Sequence, residues 1–331
     1  MNETRTRREP VRKARNRSAI FYGPEKLAIA ESALPPVGPR EVRVGIEGCG
    51  VCASNLPVWE GRAWFEYPFE AGAPGHEGWG VVDQVGGEVS DFRPGDRVTL
   101  LSYHAFAAYD TAPQEQVVKL PDSLAGPFPG EPLGCAVNIA HRSDFQKGQT
   151  VAVIGAGFIG SLLVALAARA GARVIAISRR TYALETAKTM GASHTIALRD
   201  SRAVVQEVFE LTNGKGCERV IEAVGEQWPL DLAGDLTAER GRLVIAGYHQ
   251  DGRRTVNMQL WNWRGIDVIN AHERSAATYL RGIREAVDLV ASGELDPYPL
   301  YTHKVPLGKL SGAFALMRDR PDGFMKALVT M

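Results

Sequence analysis

Several things are scarce in this chain, and each scarcity removes a class of protein. No apolar run among its 331 residues reaches the roughly 18 that a membrane-spanning helix needs. The Arg-rich start carries no apolar core, so a secretory signal is not expected there. Four cysteines are too few for a disulfide framework, which fits a reducing compartment and a cytoplasmic location. Net charge is also missing: 38 Lys+Arg stand against 38 Asp+Glu. No self-similarity at a period of about 20–50 residues suggests a repeat array.

The zero balance is nonetheless uneven. Residues 1–17 hold seven basic side chains and two acidic ones, while the rest of the chain carries a matching acidic excess. The basic stretch has no apolar periodicity and reads as a disordered extension. Nothing downstream supports nucleic-acid or membrane binding. The expected partners are a small-molecule substrate and further copies of the chain, as a homodimer or homotetramer.

What is present divides by texture. Residues 18–130 alternate short extended runs, at 41–46, 80–85 and 96–101, with Gly/Pro turns such as Pro35-Pro36, Gly86-Gly87 and Pro94-Gly95. From about residue 147 the pattern changes. A continuous apolar strand at 150–154, a glycine turn, an Ala/Leu-rich helix at 161–170 and a second apolar strand at 173–177 make a βαβ unit. A helix near 201–212 and strands at 219–224, 242–246 and 266–270 extend it. Residues 276–292 place Leu280, Ile283, Val287 and Val290 on one helical face. The expected fold class is α/β: a doubly wound parallel sheet at 132–271, set into a β-rich domain formed by 18–131 and 272–331.

Gly155-Ala156-Gly157-Phe158-Ile159-Gly160 is a G-x-G-x-x-G between an expected strand and an expected helix, the context that gives the motif meaning. The glycines permit a tight turn, close approach of a pyrophosphate and close helix–strand packing. The helix start offers unpaired N–H groups to phosphate. The residue after the second strand selects the cofactor. An acid there would favour NAD, but the chain has Ser178-Arg179-Arg180. Two guanidiniums suit a 2′-phosphate, so NADP is expected, with NAD as the alternative. Val224 and Gly247 are assigned to the same cofactor cleft.

The β-rich part holds Gly50-Val51-Cys52-Ala53-Ser54-Asn55, then Pro74-Gly75-His76-Glu77-Gly78, then Gly130-Glu131-Pro132-Leu133. A thiolate, an imidazole and a carboxylate are the ligand types of a catalytic zinc with one open position. With Gly95-Asp96-Arg97-Val98 and the glycine turn in the same order, residues 18–331 resemble the zinc-dependent alcohol dehydrogenases of the medium-chain dehydrogenase/reductase superfamily, on the polyol (sorbitol)-dehydrogenase side.

That resemblance implies a GroES-like catalytic domain, a Rossmann cofactor domain, and an active site in the cleft between them. It implies one catalytic Zn2+ per chain, held by Cys52, His76 and a carboxylate from Glu131 or Glu77. Ser54 takes the place of the hydroxyl that starts the proton relay. Asn55 stands where the family has an aspartate that orients the ligand histidine, and Pro57 or its neighbours replace the relay histidine. The segment between Val98 and Val117 has no Cys, so the family's structural-zinc lobe is absent. Asn55, Trp59, Arg62 and Trp64 are expected to rim the substrate pocket. The implied reaction is hydride transfer between NADP(H) and a secondary alcohol or polyol (a sugar or cyclitol) and its ketone. A zinc-free quinone or enoyl reductase and a non-catalytic nucleotide-binding protein are the alternatives.

Overall fold

The computed structural model describes residues 15–331. The basic segment therefore lies outside the described residues except for its end. Arg15, Asn16 and Arg17, expected in a disordered extension, instead open the first strand. Asn16 is fixed there by two hydrogen bonds with the Tyr109 backbone, its amide donating to the carbonyl and its oxygen accepting from the N–H.

The first half of the chain is strand-rich. β1 (Arg15–Gly23) pairs antiparallel with β2 (Lys26–Ala33), and β3 (Glu41–Gly50) leads to the short helix α1 (Leu56–Glu60). β4 (Gly78–Val85), β5 (Arg97–Leu100), β6 (Tyr109–Pro113) and β7 (Val117–Lys119) follow. Helix α2 (Gly130–Ser143) then leads into a regular alternation: β8 (Thr150–Ile154), α3 (Phe158–Arg169), β9 (Arg173–Ser178), α4 (Thr181–Thr189), β10 (His194–Ala197), α5 (Ser201–Leu211), β11 (Cys217–Glu222), α6 (Gln227–Leu236), β12 (Thr237–Ile245), α7 (Met258–Arg264) and β13 (Asp267–Asn270). The amphipathic helix is α8 (Ala276–Ala291). The chain closes with β14 (His303–Pro306), α9 (Leu310–Asp319) and β15 (Ala327–Thr330).

β8 to β13 form one parallel sheet in the order β10-β9-β8-β11-β12-β13. That is the doubly wound arrangement, with the strand order reversing between β8 and β11. Its strands read as unbroken apolar runs because both faces are covered. Val151 and Val153 pack into the layer of α2, α3 and α8, while Ala152 and Ile154 face the opposite layer with Val204, Val208 and Leu230. β9 repeats the division with Val174 and Ala176 against Ile175 and Ile177.

The second large sheet has the order β14-β15-β3-β4-β5-β7, with β6 also on β3. β15, from the end of the chain, pairs with β3, so the C-terminal segment completes the domain begun at the N-terminus. Its core gathers Phe21, Trp59, Phe106 and Phe314. The four cysteines are free.

Two features of this packing set up the site. Helices α2 and α8 cross closely because Gly134 faces Ile283, where an added Cβ would lie 2.5 Å from a side-chain carbon. This brings Glu131 on α2 beside Tyr279 on α8. The β3–β15 pairing in turn places Lys326, one residue before β15, beneath the end of β3.

Candidate active site

Cys52 follows β3, and His76-Glu77 precede β4, which pairs with β3. The antiparallel pairing brings the two segments together although 24 positions separate them. One ligand atom each from Cys52, His76 and Glu77 lies within 4.8 Å of the others. His76 Nδ1 is 3.0 Å from the Pro74 carbonyl oxygen. A carbonyl only accepts, so Nδ1 carries the proton and Nε2 is left for a metal.

This corrects the role expected for Asn55. Its side chain is buried and does not bond to His76. Its amide donates to the same Pro74 oxygen at 3.3 Å, so a backbone carbonyl, and not the Asn55 amide, orients the imidazole. Ser54 Oγ donates to Cys52 Sγ at 3.2 Å, which keeps the hydroxyl beside the ligand cluster.

Glu77 is fully buried and pairs with Lys326, whose Nζ donates to Oε1 at 2.6 Å. The other carboxylate oxygen, Oε2, also lies 2.6 Å from that ammonium, so both oxygens share one cation. Glu131 lies farther out and accepts a hydrogen bond from the Tyr279 hydroxyl. The sequence left open which acid completes the ligand set, and the geometry puts Glu77 in the tight group.

The electrostatics of the cluster are mutual. Burial lowers the His76 pKa, but the neighbouring Cys52 sulfur, Glu131 and Glu77 outweigh it and carry it up to about 10. Burial raises Glu131, partly offset by His76. Cys135, one helical turn after Glu131 on α2, is pushed up to about 12 by burial and by that carboxylate. Burial also lowers Lys326, but Glu77 and Cys52 hold it above the ordinary ammonium value. Cys52, Glu77 and Glu131 around one imidazole and one ammonium form a donor set short of positive charge. A divalent cation fits it.

The glycine turn sits at the carboxyl end of β8, and Gly157 is the N-cap of α3. Gly155 has φ +97°, and a Cβ on Gly160 would lie 2.0 Å from the Gly155 carbonyl oxygen. A Cβ on Gly157 would meet nothing within 4 Å, and no side chain caps the start of α3. Phe158 and Ile159 open the helix itself. Val224 lies against Gly155, and Gly247 packs on the Gly225 N–H. Fully buried Glu222 holds that loop by accepting from the Val224 and Gly225 N–H groups, both at 2.7 Å. These contacts bring together the expected cofactor positions around β8, β11 and β12.

At the end of β9, Ser178 is buried and the two arginines diverge. Arg179 is exposed, with its guanidinium 5.2 Å from the Trp228 ring centre. Arg180, expected at the cofactor, turns the other way and donates to the Phe324 carbonyl at 2.5 Å. The turn into α4 sends consecutive side chains to different sides, and Arg180 finds a buried carbonyl there.

The expected substrate rim is also revised. Trp59 is a core residue: it is 4% exposed and stacks on Phe314 with ring centres 5.3 Å apart. Arg62 pairs with Glu60, and Trp64 is exposed beside Phe65. The aromatic residue against the ligand cluster is Tyr103, stacked on His76 at 6.4 Å.

Tyr103, Tyr279 and Lys326 carried no signal in the sequence, because each arrives from a distant segment. Cys135 did carry one, in its i, i+4 spacing from Glu131 on a helix.

Comparison with known proteins now adds to the geometry. Residues 38–122 match the alcohol dehydrogenase GroES-like domain, and residues 159–292 match the zinc-binding dehydrogenase domain. The chain belongs to the zinc-dependent alcohol dehydrogenase family. It is an enzyme of the polyol-dehydrogenase-like kind. This dehydrogenase is 28% identical to sorbitol dehydrogenase of Bacillus subtilis (strain 168), over 95% of this chain and 96% of that one. Two solved structures share its fold. One is an Escherichia coli CFT073 alcohol dehydrogenase in complex with NADH, with a TM-score of 0.85, 24% identity, and coverage of 96% of this chain and 99% of that one. The other is a Sinorhizobium meliloti zinc-binding dehydrogenase bound to NADP, with a TM-score of 0.83, 24% identity, and coverage of 96% and 100%.

Proposed function

We propose that this alcohol dehydrogenase transfers a hydride between NADP(H) and a secondary alcohol or polyol and its ketone, using one zinc ion per chain. The observation that carries the reading is Lys326. Its buried ammonium lies 2.6 Å from Glu77 of the ligand cluster and 4.8 Å from the Phe158 ring centre at the head of the glycine turn. Metal ligands and nucleotide turn therefore flank one side chain, as a reaction between a metal-held substrate and a nicotinamide requires.

Cys52, His76 and Glu77 would hold the zinc, with Glu131 as the neighbouring acid. When bound, the metal supplies Lewis-acid polarisation of the substrate oxygen, and the nicotinamide exchanges the hydride. The other roles belong to the chain. Pro74 fixes the tautomer of His76. Ser54, beside Cys52, would relay the substrate hydroxyl proton, accepting it as its own hydroxyl proton passes on towards the cofactor ribose or water. The α3 N–H groups bind pyrophosphate, and Arg179 meets the 2′-phosphate. Likeness to a sorbitol dehydrogenase supports a polyol over ethanol.

Among the described residues the outer edge of β13 is unpaired, and Met258 and Trp263 on the preceding α7 are exposed, Trp263 at 87%. This supports a homodimer or homotetramer.

The test is a screen of NADP+ reduction over polyols, cyclitols and secondary alcohols, with zinc content measured in parallel. About one zinc per chain is expected. Cys52→Ser and His76→Ala should lose metal and turnover together, and Ser54→Ala should keep metal and lose rate. Full turnover by His76→Ala overturns the assignment.

A further inference from the structure

Trp228 has no place in the reading so far, yet it meets the one arginine left to recognise a 2′-phosphate. It is the second residue of α6, half-buried against the packed layer that holds Val204, Val208 and Leu230. Its indole Nε1 donates to Glu226 Oε2 at 2.7 Å, so the ring is held at both its apolar face and its polar edge. The Arg179 guanidinium lies 5.2 Å from the ring centre, within cation–π range. Among the described residues no carboxylate pairs with Arg179, whereas Arg180 is tied to the Phe324 carbonyl and approaches Met325 Sδ.

We propose that Trp228 is a positioning residue for cofactor selection: its indole carries the Arg179 guanidinium at the end of β9, where the adenosine ribose of a dinucleotide on this sheet would lie. An exposed arginine has several rotatable bonds, and ordering them weakens any contact it makes. A ring beneath the guanidinium restrains it and leaves its N–H edge free for phosphate oxygens. Selection then rests on Arg179 with Trp228 under it, while Arg180 serves as a tie between the α/β sheet and the segment before β15. The inference rests on the NADP reading and is tested separately from it.

The experiment measures Kd by titration calorimetry for NADP+ and NAD+ on the full-length enzyme. The wild type should bind NADP+ more tightly, and Arg179→Ala should weaken NADP+ by about tenfold or more with NAD+ little changed, from the loss of a charge-assisted phosphate contact. Trp228→Leu should weaken NADP+ alone, by about two- to fivefold. Trp228→Phe keeps a ring face and should restore most of that loss. In an Arg179→Ala background, Trp228→Leu should have no further effect on the NADP+ to NAD+ ratio. Arg180→Ala should leave that ratio unchanged.

A wild type that prefers NAD+, or an Arg179→Ala variant with unaltered preference, overturns the NADP reading and this inference with it. With the Arg179 effect intact, the inference alone is overturned in three cases: Trp228→Leu is silent, it weakens both cofactors equally, or it still acts without Arg179.

Discussion

Replacing Lys326 with Met tests the centre of the site most directly. The ammonium and Glu77 are 2.6 Å apart, with side-chain exposures of 4% and 0%. Methionine keeps the length and apolar volume of the stem and removes only the charge. The partner carboxylate is then buried without a counter-charge, which costs about 3–5 kcal/mol. Loss of the contact with Phe158 adds to this. Urea denaturation of both proteins in the presence of a chelator reads the difference. The double variant Lys326→Met/Glu77→Gln should recover a large part of the loss, because the orphaned charge is gone. Saturating zinc should also shrink the penalty of Lys326→Met, since a divalent cation on Glu77 offsets the same charge. A loss below about 1 kcal/mol under chelator refutes the buried pair, and a double variant no more stable than Lys326→Met refutes the coupling.

Further outcomes follow from the same geometry. Gly160→Ala places a methyl group 2.0 Å from a backbone carbonyl, so calorimetry should record weakened cofactor binding along with a lower unfolding temperature. Trp59→Ala should cost about 3–5 kcal/mol in urea denaturation while leaving the KM of whichever alcohol turns over within about twofold, because the ring packs in the core. Tyr279→Phe removes the hydroxyl that holds Glu131, and should change kcat with full zinc content retained, as assayed by metal analysis. Gly134→Leu should separate α2 from α8 and reduce both stability and turnover, because Ile283 already occupies that space.

Much of this was legible in the residue order. The apolar runs of β8 and β9, the glycine turn between β8 and α3, and the face of α8 are local patterns. Each pattern states its own burial: a strand covered on both sides has no polar alternation, and a helix covered on one side has a stripe. Cys52 and His76 could be read because each sits in a short motif that resembles the family's. The substrate rim could not. Trp59, Arg62 and Trp64 are close in sequence, but only Trp59 lies on α1, and only packing against Phe21 and Phe314 shows that it faces inward. The same limit applied to Arg179 and Arg180, whose neighbours Trp228 and Phe324 come from α6 and from the segment before β15.

The sequence by itself determined the two kinds of sheet, the nucleotide turn and the types of metal donor, because these depend on residues within one turn or one strand of each other. The tertiary structure decided how the donors are used. Glu77 rather than Glu131 joins Cys52 and His76, a backbone carbonyl rather than Asn55 orients the imidazole, and Lys326 balances the cluster from the end of the chain. The Pro74 contact is local, but the pairing of Lys326 with Glu77 joins residues 249 positions apart, and no local pattern encodes it.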